Sequence, residues 1–219
     1  MRKKTFNKEV ILDLDYTLFD TARFKQALAQ SLNKFGVKAD MYFKTYPLAV
    51  VKHNGQYSYS INRHLHLLKK QVINLPILKS HKQINNVVAH SYLYLYPDTI
   101  AFLKLLHKHN FKLILVTRGN KIFQRRKVNN SGLSEYFNKV VTLNDLKVIV
   151  LKKLTKRFDQ VFFVSDYEEE LRQVKHDLPQ LLPIMKLNGH GTLSQARKMK
   201  IPAFSSLAEM GEFILQYYK

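Results

Sequence analysis

The stretch Val10-Ile11-Leu12-Asp13-Leu14-Asp15-Tyr16-Thr17-Leu18 decides how the rest of this chain is read. Val10, Ile11, Leu12 and Leu14 form a short apolar, β-compatible run of the kind found in a strand covered on both faces. Asp13 interrupts that run. An ionised carboxylate at a core-facing position is expensive unless a cation or strong hydrogen bonds hold it, so its placement points to a metal or reaction site. Asp15 lies two residues on, and strand side chains repeat every two residues, so the pair can converge on one cation if strand geometry lasts that far. An acidic turn at a strand end gives the same D-x-D, and the choice between the two rests on the rest of the chain.

Outward from this stretch the periodicity alternates between strands and helices. That is the pattern of an α/β fold, a Rossmann-like, mostly parallel sheet with helices on both faces. Strands are expected at about 9–14, 112–117, 139–142, 161–165 and 182–187. Asp98 is expected to cap a helix running to about His109, and a second helix follows from Lys121 to Asn130. Asn144 or Asp145 starts another at Leu146, Glu168 to Lys175 forms the next, and Ser206 with Glu209 makes an S-x-x-E capping box for the last. Residues 21–95 do not fit this sheet. A strand-to-strand crossover needs little more than a dozen residues, so a longer insertion must fold on its own. Within it Arg23 to Phe35, Ile61 to Lys70 and Ser80 to Leu95 have helical spacing. The expected division is a core of 1–20 and 96–219 with an inserted helical domain of 21–95.

Asp13-Leu14-Asp15-Tyr16-Thr17-Leu18 resembles the first motif, D-x-D-x-T, of the haloacid dehalogenase-like (HAD) superfamily, and later segments resemble its other motifs in order. Lys112 to Thr117 (KLILVT) is an apolar strand ending in a hydroxyl residue, like the second motif. Val161 to Glu170 (VFFVSDYEEE) is a strand running into acids, similar to the motif usually written G-D-x-x-x-D, with Ser165 in place of the glycine. Lys147 lies between them, where the family keeps a phosphate-binding lysine. It has Lys139, Lys152 and Lys153 as neighbours and lacks the familiar Lys-Pro form. Tyr96-Pro97-Asp98, and Gln124 to Leu133 followed by Tyr136-Phe137, resemble the family's connecting elements. The position and helical content of 21–95 resemble the family's C1 cap, which closes over the phosphate site and largely selects the leaving group.

The resemblance implies a magnesium-dependent phosphatase of small phosphorylated metabolites, working through an aspartyl-phosphate. Asp13 would be the nucleophile and Asp15 the acid and base, an acid that the dehalogenase branch lacks. Thr17 would stabilise the turn. Thr117, Arg118 and Lys147 would hold the phosphate, Arg118 standing where many relatives have asparagine. Asp13, Asp15, Asp166 and Glu170 would hold Mg2+, with Glu168 and Glu169 adjoining the last of these. Tyr57, Tyr59 and Arg63, in and after the turn-forming stretch His53 to Tyr59, are candidates for contact with the leaving group. A phosphomutase would share every motif. A non-enzymatic anion- or nucleic-acid-binding protein would tolerate loss of the acids, and Asp13 and Asp15 are intact.

Composition fits an enzyme of this size. At 219 residues the chain can bury about 70% of its unfolded surface. It has no cysteine, so disulfides and zinc-thiolate sites are out, and the basic amino terminus precedes an apolar stretch too short and too acidic for a signal peptide. A soluble cytoplasmic protein with no membrane partner is expected. The net charge of +20, from 36 Lys and Arg against 16 acids, is spread along the whole chain without a dense arginine patch. It reads as a solvated basic surface that supports weak, non-specific nucleic-acid contact and no sequence-specific one.

Overall fold

Strand β1 (Lys8–Leu12) is hydrophobic at consecutive positions because it is the middle of the sheet and both of its faces are covered. The computed structural model describes residues 8–53, 56–143, 146–155, 161–187 and 189–218. In chain order the remaining elements are α1 (Thr21–Ser31), α2 (Ala39–Thr45), β2 (Val50–His53), β3 (Gln56–Tyr59), α3 (Ile61–Lys69), α4 (Ile77–Ala89), α5 (Thr99–Lys108), β4 (Phe111–Arg118) and α6 (Lys121–Asn130). They continue with β5 (Lys139–Leu143), α7 (Lys147–Leu154), β6 (Val161–Ser165), α8 (Glu168–Asp177), β7 (Leu181–Lys186), α9 (Leu193–Met199), β8 (Ala203–Phe204) and α10 (Leu207–Gln216).

Six strands make one sheet in the order β5-β4-β1-β6-β7-β8, and each of its ladders is parallel. Alternation along the strands divides the core in two. Val10, Leu12, Leu113, Leu115, Phe162 and Val164 face α5 and α10, where Phe102, Leu106, Met210 and Ile214 cover them. Ile11, Ile114, Val116, Val161 and Phe163 face the other way, against Leu151, Leu171 and Val174 of α7 and α8. Helices on both faces, and a strand order that reverses at β1, put the crevice for a ligand outside the carboxyl ends of β1, β4 and β6.

Residues between β1 and α5 add no strand to this sheet. They form α1 to α4 and the antiparallel pair β2 and β3, and their side chains join the core cluster on the α5 face. The chain leaves and returns through two bonded passages, with Asp20 N donating to Tyr94 O at 2.7 Å and Tyr96 N to Leu18 O at 3.2 Å. Among the described residues no helix is long and apolar enough to cross a membrane.

Several boundaries differ from the sequence reading. Strand β1 stops at Leu12 rather than at residue 14, because a turn begins there in which Leu14 O accepts from the amides of Thr17, Leu18 and Phe19. The helix expected over 80–95 starts at Ile77, after Pro76, and gives way at His90 to a 3-10 turn over Ser91–Tyr94. Likewise α1 ends at Ser31, with a separate 3-10 turn at Asn33–Phe35. Asp98 stands at the N-cap of α5 as expected, but its side chain makes no capping bond there. Its Oδ2 accepts from Leu207 N at 2.8 Å and Ala208 N at 3.3 Å, so it caps α10 across the fold. Ser206 caps the same end from within, while the reciprocal capping box belongs to Thr192 and Gln195 at α9. Asn144 and Asp145 lie outside the described residues.

Candidate active site

Three strand ends deliver the acids and their counter-ions to one place. Asp13 follows β1 directly, its amide still paired with Val164 O at 2.9 Å, so its side chain points out of the sheet's edge into the crevice. Its Oδ1 accepts from Leu14 N at 2.7 Å and its Oδ2 lies 2.6 Å from Lys147 Nζ. Lys147 opens α7 and is 3% exposed. Its ammonium also reaches Glu170 Oε2 at 2.8 Å, and Ser165 Oγ donates to the same oxygen at 3.2 Å. Glu168 instead pairs with Arg172 one turn along the exposed side of α8. Asp166 Oδ2 accepts from His190 N at 3.0 Å. A Cβ at Gly189 would fall 2.5 Å from that oxygen, so only glycine lets the 189–191 loop approach this closely.

A cavity of about 260 Å³ is lined by Asp13, Asp15, Thr117, Arg118, Lys147, Asp166 and Glu170, together with Tyr167 and His190. The core candidates named from sequence thus share one crevice. Of the candidates in the inserted segment, Tyr59 and Arg63 are not among the residues that line it. Tyr59 lines a neighbouring cavity and bonds His64 Nδ1 at 2.8 Å through its hydroxyl. Arg63 is turned away, its Nε donating to Leu48 O at 2.8 Å. Tyr57 lies in β3, and its side chain is outside the described residues. Thr17 is fully buried with its hydroxyl unpartnered among the described residues, so the turn is held by the backbone bonds to Leu14 O and not by that hydroxyl.

Asp15 is held differently from Asp13. Its Oδ1 accepts from Thr21 Oγ1 and Lys127 Nζ, and its Oδ2 from Gln124 Nε2 at 2.6 Å. Gln124 Nε2 further donates to Thr117 Oγ1 at 3.1 Å and Arg118 O at 2.9 Å, tying the ends of β1 and β4 together. Lys127 and Gln124 sit one turn apart on α6, both more than nine-tenths buried. In sequence they sit among arginines and asparagines, in a helix with almost no apolar stripe, so nothing marked them as inward-facing. Thr21 and Lys25 on α1, and His190 in the loop after β7, belong to no motif and no spacing that marks them as site residues.

These contacts push the two acids apart. Burial drives Asp13 up to about 7, with repulsion from Glu170 and Asp166 adding to it and Lys147 opposing. Burial raises Asp166 too, against the His190 amide. For Asp15 burial also pushes upward, but the Lys127 ammonium and the Thr21 and Gln124 bonds outweigh it and hold the carboxyl at about 2. Burial disfavours the Lys147 charge, and Asp13 and Glu170 overcome it to raise that ammonium.

Asp13 and Glu170 share the ammonium of Lys147, and Asp166 lines the same cavity. Hard oxygen donors in excess of positive charge fit a hard divalent cation. Among the described residues no three acids or imidazoles converge closely enough to hold a metal by themselves, and the Lys147 ammonium stands between Asp13 and Glu170. Asp15, engaged by Lys127 and Gln124, has its carboxylate turned from that set.

A family model for haloacid dehalogenase-like hydrolases matches residues 10–166. Among solved structures, the fold resembles that of a haloacid dehalogenase-like hydrolase from Burkholderia xenovorans, at 16% identity and a TM-score of 0.74 over 98% of this chain and 100% of that one. It also resembles a predicted phosphatase from Clostridium acetobutylicum, 18% identical, TM-score 0.60, over 97% and 100%. A HAD hydrolase from Bacillus subtilis, bound to magnesium, aligns at 14% identity and a TM-score of 0.60 over 96% and 99%. No curated protein sequence matches the chain.

Proposed function

The chain belongs to the haloacid dehalogenase-like hydrolases and is an enzyme of that type, and we propose that it hydrolyses phosphate monoesters of small metabolites with Mg2+ through an aspartyl-phosphate on Asp13. The observation that carries this reading is Lys147 set between Asp13 and Glu170, with Thr117 lining the same crevice. Phosphate monoesters hydrolyse slowly because two anions must meet and an alkoxide must leave.

Magnesium, held by Asp13 and Asp166, would neutralise the phosphoryl charge and keep Asp13 ionised at neutral pH. Thr117 Oγ1 and the amide of Arg118 donate to the transferring phosphoryl oxygens, the Gly119 amide being taken by Leu143 O at 2.9 Å, and Lys147 screens them from the acids. Asp13 attacks phosphorus, the ester P–O bond breaks, and the leaving oxygen departs as an alkoxide that takes its proton from Asp15 when that group has gained one. Water then attacks the phosphorus of the aspartyl-phosphate, giving inorganic phosphate and free Asp13.

Asp15 rests as a carboxylate, the form that takes the proton from this water. Before it can protonate a leaving alkoxide it must gain a proton against the Lys127 pairing. Esters of acidic alcohols, which need little protonation, should therefore be the faster substrates. A screen for phosphate release with and without Mg2+ tests the reading. Aryl phosphates should be cleaved in a magnesium-dependent way and Asp13→Asn should lose all turnover. Release that survives Asp13→Asn would refute it.

A further inference from the structure

Beside the phosphoryl crevice, between α1, α6 and the β2–β3 hairpin, lies a second cavity of about 230 Å³. One wall is aromatic, made by Phe24, Phe123, Tyr46 and Tyr59, the last two stacked at 4.7 Å and 16°. The charges on its lining do not balance. Lys25, Arg118 and Lys127 face the single carboxylate of Asp15.

Lys127 is committed to that carboxylate. Lys25 has no such partner. Its ammonium touches the Tyr16 hydroxyl at 3.3 Å and lies 4.7 Å from the Tyr46 ring centroid and 5.5 Å from that of Tyr16, with no carboxylate paired to it among the described residues. Other lysines withdrawn from solvent are better served: Lys147 has Asp13 and Glu170, and Lys186 has two main-chain carbonyls. Removing an ammonium from water costs several kcal/mol unless another group replaces the water, and burial does hold Lys25 below its ordinary value. Such a cation, propped by aromatic rings over an apolar pocket and feeling Asp15 only through space, is poised for an anion that no described residue places against it.

The volume limits what carries that anion. A cavity of about 150 Å³ accepts benzene, so one of about 230 Å³ takes a single substituted ring or a short chain and not a nucleoside. Resting on the phosphomonoesterase reading, we propose that the natural leaving group is a small alcohol, at most one ring in size, bearing a second anionic group that Lys25 binds. That group is a carboxylate or a further phosphate.

Matched pairs separate the two sources. 3-Phosphoglycerate is compared with glycerol 3-phosphate, which carries a hydroxymethyl group in place of the carboxylate, and propane-1,3-diol bisphosphate with its monophosphate. The anionic member of at least one pair should have a kcat/KM about tenfold higher or more, the range of a charge-assisted contact. Lys25→Met should bring that ratio close to one, and Lys25→Arg should keep it. Ratios near one in both pairs for the unmodified enzyme, or a preference that survives Lys25→Met, would overturn the inference. Magnesium-dependent cleavage of p-nitrophenyl phosphate is run alongside. If that fails, the hydrolase reading fails, and the Lys25 inference is decided by calorimetric Kd ratios for the same pairs on Asp13→Asn protein. If it succeeds with flat ratios, only the inference falls.

Discussion

Replacing Lys127 with methionine tests whether the Asp15 clamp is an ion pair of real strength. Methionine keeps the apolar packing over Phe19 and Phe24, whose ring centroids lie 4.6 and 5.4 Å from the ammonium, and removes the charge. Asp15 titrates at about 2 in the folded chain against an ordinary 3.8, a difference of nearly two units, or about 2 kcal/mol at ~1.4 kcal/mol per unit. Its side chain is 25% exposed, so the loss should sit below the roughly 3 to 5 kcal/mol seen when one partner of a fully buried pair is removed.

The sign follows from the direction of the shift. A depressed carboxyl contributes stability that is present above its unfolded value and lost as pH falls through the folded one. The advantage of the unmodified chain over Lys127→Met should therefore be at least about 2 kcal/mol at pH 7, because burial then opposes the Thr21 and Gln124 bonds alone, and it should shrink as pH falls toward about 2. Urea unfolding of both proteins at several pH values measures this. A double-mutant cycle with Asp15→Asn isolates the pair from the other carboxylates that titrate in the same window. A difference independent of pH, or a coupling energy below about 0.5 kcal/mol, would refute the reasoning.

Two further outcomes follow from other buried groups. Burial and the neighbouring acids raise Asp13 to about 7, so the metal-free protein should lose stability relative to Asp13→Asn as pH rises from about 4 through 7. Magnesium should recover that loss in the unmodified chain and less in the variant, a contrast read by thermal unfolding. His64 is fully buried between Thr45 and Tyr59, and burial lowers it to about 4 from 6.5. That gap is worth about 3 kcal/mol, present above pH 6.5 and lost as pH falls toward 4, and His64→Gln should flatten the stability profile measured there by urea unfolding.

The sheet was legible because its central strands are buried on both faces. Runs such as VIL before Asp13 and LILV before Thr117 have no solvent face to interrupt them, and each ends where the crevice begins. The inserted segment was less legible. Strands β2 and β3 are four residues each, pair only with one another, and carry Lys52, His53, Gln56 and Ser58, so their pattern reads as a turn with aromatics. Asp98 precedes its own helix as a cap should. That it serves α10 instead depends on a partner more than 100 positions away, which no local pattern encodes. The acid run 168–170 could not be resolved by spacing alone, because what distinguishes Glu170 is its inward turn toward Lys147 while Glu168 meets Arg172 one turn along the helix.

Basic residues illustrate the same limit more sharply. With 36 of them in the chain, each lysine reads as solvated surface, and the excess charge by itself only draws anions from within a Debye length of about 8 Å at physiological salt. Burial separates a few from the rest and gives them unlike work. Lys147 offsets Asp13 and Glu170, Lys127 holds Asp15 in its charged form, and Lys25 has no carboxylate paired to it among the described residues. General attraction to phosphate esters follows from composition. If Lys25 binds the leaving group as proposed, it is the residue that discriminates among them, because a lysine already bound to an acid gives up that partner before it can gain a new one.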